Sequence, residues 1–96
     1  MSGIKAARRI KEVVKECDGA TIIYTLTEGE GTRVACFGLT LYSIGIEMTD
    51  KNGQHTESHL DEIFVDFKRA SRFFERLVNN LATPIDLPYI LEDEMR

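Results

Sequence analysis

His55 and His59, with Glu57, Asp61 and Glu62 around them, come nearest in this chain to a metal-ligand set. On a helix, histidines four residues apart lie on one face and can chelate zinc. On a strand the same pair is separated by four rises of about 3.3 Å, or about 13 Å, too far to share one ion. The neighbouring residues read as turn and then strand, so no metal ligand is assigned within one chain. A site shared across a dimer, or a small metal-dependent enzyme or metal-binding protein built on His55 and His59, stays as an alternative. Ser58-His59-x-Asp61 holds the letters of a catalytic triad, but side chains 58 and 59 point to opposite faces of a strand. Cys36 paired with a histidine has no better support. Gly29-x-Gly31 lacks the third glycine and following helix of a phosphate cradle and reads as a plain turn. No catalytic residue and no cofactor is assigned.

The more informative pattern lies further on. At about 100° per residue, Arg69, Arg72 and Arg76 fall within about 60° of arc on one helix, with Phe73 beside them at the edge of the apolar face. Like charges at three- and four-residue spacing oppose an isolated helix by about 0.2–0.5 kcal/mol per pair, so something acidic is expected to cover them. Glu92, Asp93 and Glu94 sit in the last turn of a second helix, the wrong end for acids. Three readings follow. The acidic end folds back on the arginines or both are simply solvated; or Arg69, Arg72, Phe73 and Arg76 dock an acidic partner protein, with Glu92 and Asp93 as internal or intersubunit counterparts; or, last, the stripe meets a polyanion or nucleic acid. Arginine and aromatic side chains are the types enriched at interface hot spots.

Charge alternates along the chain. Residues 1–16 carry a net of +3, 17–64 a net of −6, 65–82 a net of +2 and 83–96 a net of −3. Oppositely charged segments are therefore expected to meet within the fold or across a homo-oligomer. The overall charge of −4 argues against a nucleic-acid coat. Ninety-six residues, 43% of them apolar, suffice for one domain over residues 1–96 and exclude a βα barrel of roughly 250 residues. Cys17 and Cys36 lack C-x-x-C spacing and are expected reduced. No apolar run approaches the length of a membrane span, and charges interrupt any apolar core in MSGIKAARRIKEVV, so neither membrane nor secretory signal is expected and the cytoplasm is the expected location.

These residues need elements to position them. Residues 3–17 leave two alternatives open: Ile4, Ala7, Ile10, Val13/Val14 and Cys17 recur at helical steps behind Ser2, whereas Asp18-Gly19 signals a hairpin that would make 10–17 a strand. Residues 20–28 alternate as a strand, with Ile22, Tyr24 and Leu26 on one side and Thr21, Ile23, Thr25 and Thr27 on the other. Glu28-Gly29-Glu30-Gly31 is expected to turn the chain. Residues 32–38 and 40–49 are β-like, with Gly38 a bulge or bend between them. In the second, Tyr42, Ile44, Ile46 and Met48 fill one face. The turn Asp50-Lys51-Asn52-Gly53 predicts an antiparallel return over 55–64. Residues 66–82 predict a helix capped by Asp66, with Phe67, Ala70, Phe74, Leu77, Val78 and Leu81 as its stripe and Pro84 as its end. A short helix fits 86–95, capped by Asp86 and stapled by Ile85 and Ile90, with Leu87, Ile90, Leu91 and Met95 on one face. The fold class is α+β: an antiparallel meander of three or four strands with C-terminal helices on one face and a Thr-rich face opposite.

SIGIEM at 43–48 and TPIDLPYILEDEM at 83–95 together resemble a family of small uncharacterised proteins from clostridia and related Firmicutes. The matching residues are Gly45, Ile46, Glu47, Pro84, Leu87, Ile90, Leu91, Glu92 and Asp93, within a resemblance covering residues 20–95. The chain departs from that pattern at Ile44, where an aromatic is expected, and in a longer stretch between residues 29 and 41. The resemblance implies a bacterial cytosolic protein and carries no catalytic residue across; the family's more strand-like N-terminal segment weighs against the helical alternative for residues 3–17 but leaves both open. The reading overall is a non-enzymatic protein-binding or regulatory module. Besides metal binding, the alternative is a homodimer built through the Thr-rich face or through an exposed edge at strand 20–28.

Overall fold

Asp18-Gly19 decides the N-terminal half. Both residues have positive φ, 52° and 82°, which makes a two-residue turn of the kind whose twist matches antiparallel strands. It joins β1 (Arg8–Cys17) to β2 (Ala20–Glu30), paired from Cys17↔Ala20 out to Arg8↔Glu28 with a bulge between Arg9 and Lys11. The computed structural model describes residues 8–30 and 39–95. The helical alternative for residues 3–17 is thus corrected over 8–17, while 3–7 lie outside the described residues.

The chain continues through β3 (Thr40–Thr49) and β4 (His55–Phe64), giving a four-stranded antiparallel meander in the order β1-β2-β3-β4. β2 runs on to Glu30, which pairs with Thr40, so the turn expected at 28–31 does not begin there. The expected strand 32–38 and the bend at Gly38 lie outside the described residues. β2 is an inner strand, hydrogen-bonded on both sides, and offers no exposed edge for pairing. The β3–β4 turn is braced by the Asp50 carboxylate, which accepts from the backbone N–H groups of Asn52 (2.8 Å) and Gln54 (2.9 Å).

Helix α1 (Phe67–Asn79) follows, and the Asp66 side chain accepts from Arg69 N–H at 3.2 Å, a side-chain N-cap. It packs on the face formed by Ile22, Tyr24, Leu26, Tyr42, Ile44 and Ile46. Its buried residues are Ala70, Phe73, Phe74 and Leu77; Phe67 and Leu81 of the expected stripe are exposed. The sheet meets α1 one step round from the predicted centre. Phe67 instead lies at the rim, its ring 5.7 Å from that of Tyr42.

The end of α1 comes earlier than Pro84. Leu81 adopts φ 50°, its N–H donates to Val78 O (3.2 Å) and Ala82 N–H donates to Leu77 O (3.0 Å). These two bonds across a left-handed residue satisfy the last carbonyls of the helix. The fully buried Tyr24 donates its hydroxyl to Ala82 O at 2.8 Å and so ties this link to the sheet. Helix α2 (Leu87–Glu94) then buries Leu87, with Ile90 and Leu91 half-buried. Asp86 makes no cap bond to α2; its carboxylate accepts from Thr83 N–H and the Thr83 hydroxyl, each at 3.0 Å. The staple does not form, since Ile85 is 72% exposed, and Met95 is exposed too.

Candidate functional site

Two charged clusters result, one on each side of the sheet. On the helix side, Arg76 reaches the acidic end of α2: Nη2 lies 2.9 Å from Asp93 Oδ2 and Nη1 3.4 Å from Glu94 Oε1. Arg69 Nε is 3.6 Å from Glu94 Oε2, its Nη2 donates to Glu94 O at 3.5 Å, and its guanidinium lies 5.5 Å from the Phe64 ring centre. The acidic end of α2 therefore folds back on two of the three arginines. Arg72 and Glu92 are exposed and make no ion pair among the described residues. Phe73 does not stand beside the arginines at the surface. It is 1% exposed, its ring 5.3 Å from Phe64 in the core, because α1 turns this edge of its apolar face into the sheet. Glu94, rather than Glu92, is the second counterpart.

The other cluster lies on the open face. Alternation along each strand and the pairing registers place three rows of side chains there: Glu16–Thr21–Thr49–His55, Val14–Ile23–Glu47–Glu57 and Glu12–Thr25–Gly45–His59. Both helices belong to the opposite face, and among the described residues no element lies over this one. His55, Glu57 and His59 follow one another at steps of two along β4. His55 Nε2 is 3.1 Å from Glu57 Oε2, and His59 Nε2 is 3.2 Å from Glu57 Oε1. The hydrogen bond from His55, then that from His59, holds the Glu57 carboxyl below its ordinary range.

Glu47 completes the group, with Oε1 3.7 Å from His55 Nε2. The histidines thus do not meet directly, in keeping with strand spacing, but a shared carboxylate and a carboxylate from β3 link them. Sequence reasoning had not joined Glu47 to this set. Counting outward from the Asp50–Gln54 turn would have found it, because Thr49↔His55 implies Glu47↔Glu57. Asp61 is exposed and stands outside this group, and Glu62 sits at an irregularity of β4 with φ 52°, its N–H donating to Ser43 Oγ at 2.8 Å. Ser58 pairs with Ile46 on the helix side, so the letters of a triad are split between two faces.

Cys17 is a free thiol, and Cys36 lies outside the described residues. No described helix is long and apolar enough to cross a membrane. No curated protein and no solved structure matches the chain. A family model does match, over residues 5–96, and on that match the chain belongs to a family of unknown function, DUF6514.

Proposed function

We propose that this chain is a small non-enzymatic binding or regulatory module of the bacterial cytoplasm, and that its docking surface is the open face of the sheet. The observation that carries this reading is a four-stranded sheet with both described helices on one face and, among the described residues, nothing over the other. The other face presents a pattern suited to recognition. Val14, 51% exposed, and half-buried Ile23 lie side by side as an apolar spot. Around them, among the described residues, Glu12, Glu16, Glu47 and Glu57 outnumber Arg9, and these five side chains sum to −3. The partner that fits is a protein surface with an apolar patch ringed by lysine or arginine, since complementary rims steer encounter and register. A second copy of the same face fits poorly, because it would bring acids against acids.

The arginine stripe supports docking less well. Arg69 and Arg76 already hold Glu94 and Asp93, so an acidic partner would have to displace the end of α2, and Phe73 is inaccessible to it. The test compares proteins retained from source-cell extract by the wild-type chain, by a Glu12→Lys/Val14→Arg/Glu16→Lys variant and by Arg72→Glu, with circular dichroism confirming the fold. A partner lost only with the sheet-face variant is expected. A partner lost only with Arg72→Glu restores the arginine reading, and a doubled native mass abolished by the sheet-face variant makes the face a homodimer contact.

A further inference from the structure

Glu47 and Glu57 stand directly opposite one another on β3 and β4. Like charges so placed work against strand pairing, and both side chains turn toward the same imidazole. One donor atom from each of Glu47, His55 and Glu57 lies within 4.8 Å of the others. We propose that these three residues form a binding site for a divalent ion of the zinc class. This proposal rests on the hairpin's own geometry and not on the docking surface argued above.

The distances suit such an ion. Zinc holds nitrogen and oxygen ligands at about 2.0–2.2 Å in a tetrahedron, which sets neighbouring donors about 3.3–3.6 Å apart. Here His55 Nε2 is 3.1 Å from Glu57 and 3.7 Å from Glu47, and the two carboxylates lie within 4.8 Å of each other, so small side-chain rotations on an exposed face draw the three donors together. The second ring nitrogen of His55 is also provided for, with Nδ1 3.3 Å from Thr49 Oγ1. A ligating imidazole characteristically makes this outer hydrogen bond, which fixes its ring and its tautomer. Without metal, Nε2–H donates to carboxylate and the Thr49 hydroxyl donates to Nδ1. With metal on Nε2 the ring proton sits on Nδ1 and the hydroxyl accepts, a reversal that a hydroxyl permits.

His59 supports the site from the other side of Glu57, whose Oε1 it contacts at 3.2 Å. Gly45 leaves room for it: a Cβ there would come within 2.8 Å of His59 Nδ1 and 3.0 Å of Thr25 Oγ1. The donor chemistry also selects the ion. Calcium and magnesium seek mainly oxygen ligands in larger number, whereas one imidazole and two carboxylates suit zinc and its neighbours among the transition metals. Three protein ligands leave a fourth position for water or for a donor from outside.

The test uses the untagged full chain, stripped with chelator and titrated with zinc chloride by calorimetry. One ion per chain is expected, with affinity lowered at least about 10-fold by His55→Ala and by Glu47→Gln, and by a smaller factor in His59→Ala. Replacing Cys17 and Cys36 by serine is expected to leave binding intact. In the unmodified chain, zinc should shift the His55 Nε2 nitrogen resonance, a readout that needs no variant to fold. Absence of saturable binding, an unmoved His55 signal, or binding that survives His55→Ala but is lost with the cysteines would overturn the assignment.

Discussion

The two charged clusters lie on opposite sides of one sheet and differ in what neutralises them. At the α1–α2 contact, Arg69 and Arg76 meet Asp93 and Glu94, so each charge finds its opposite within the fold. On the open face, Glu47 and Glu57 face each other across a strand pair, and the His55 imidazole is the group that reaches both. The first arrangement holds a short helix in place and asks for nothing further. The second leaves two like charges beside one imidazole, and it faces solvent. A run of charge in a sequence therefore says little until the fold shows whether its counter-charge lies inside the molecule.

Phe73 provides the largest test of that division. As an aromatic of an interface it could be truncated with little effect on stability. As a residue 1% exposed against Phe64 it cannot. Phe73→Ala is expected to cost about 3–5 kcal/mol in denaturant unfolding, and a loss below about 1 kcal/mol would return it to the surface.

Tyr24 carries the next effect, on the same helix side. Burial, with smaller contributions from the Cys17 and Asp86 charges, pushes its phenol up to about 12 from an ordinary 10.0. The neutral form is the one the fold favours, donating to Ala82 O. Its stabilising contribution is thus fully present below pH 10 and is lost as pH rises toward about 12. Stability of the wild type relative to Tyr24→Phe should fall by roughly 2–3 kcal/mol across that window. At neutral pH the missing hydroxyl should cost the variant about 1 kcal/mol. A difference that stays flat with pH would show that Tyr24 keeps its proton no better than a free tyrosine.

Much of the helix side was legible because its signals are local. Ile22, Tyr24 and Leu26 alternate, Tyr42, Ile44 and Ile46 fill one side of β3, and Asp66 stands where a cap belongs. β1 was harder. Its residues fit a helical period as well as a strand, and the side of β1 under the helices holds Lys11 and Lys15 beside Val13. Lys11 belongs there because its stem crosses apolar surface while Nζ lies 5.8 Å from the Phe74 ring centre and 3.4 Å from Glu75. Phe73 was misplaced because it borders two arcs of α1, and only the sheet decides which arc is buried. The open-face cluster was half legible. His55, Glu57 and His59 share a strand, but Glu47 joins them only through register, which no single strand encodes.

The link between the helices offers a smaller effect. Leu81 holds φ 50° where glycine is usual, and its side chain is exposed. Leu81→Gly removes the Cβ penalty of that conformation and should raise stability by about 0.5–1 kcal/mol, with thermal unfolding as the measurement. A destabilised variant would mean that the Leu81 side chain packs more than its exposure suggests.

The smallest expected effect bears most directly on the comparison. Arg76 and Asp93 are both solvent-exposed, and pairs of that kind contribute about 0.2–1 kcal/mol. A double-mutant cycle with Arg76→Ala and Asp93→Ala should give a coupling in that range that shrinks as salt rises. Because Arg76 also reaches Glu94, Arg76→Ala alone should cost more than Asp93→Ala alone. A coupling near zero at low salt would mean that Leu87, Ile90 and Leu91 hold α2 without help from its acids. The arginines would then be free for a partner, and the contrast between the two faces would narrow to the histidines alone.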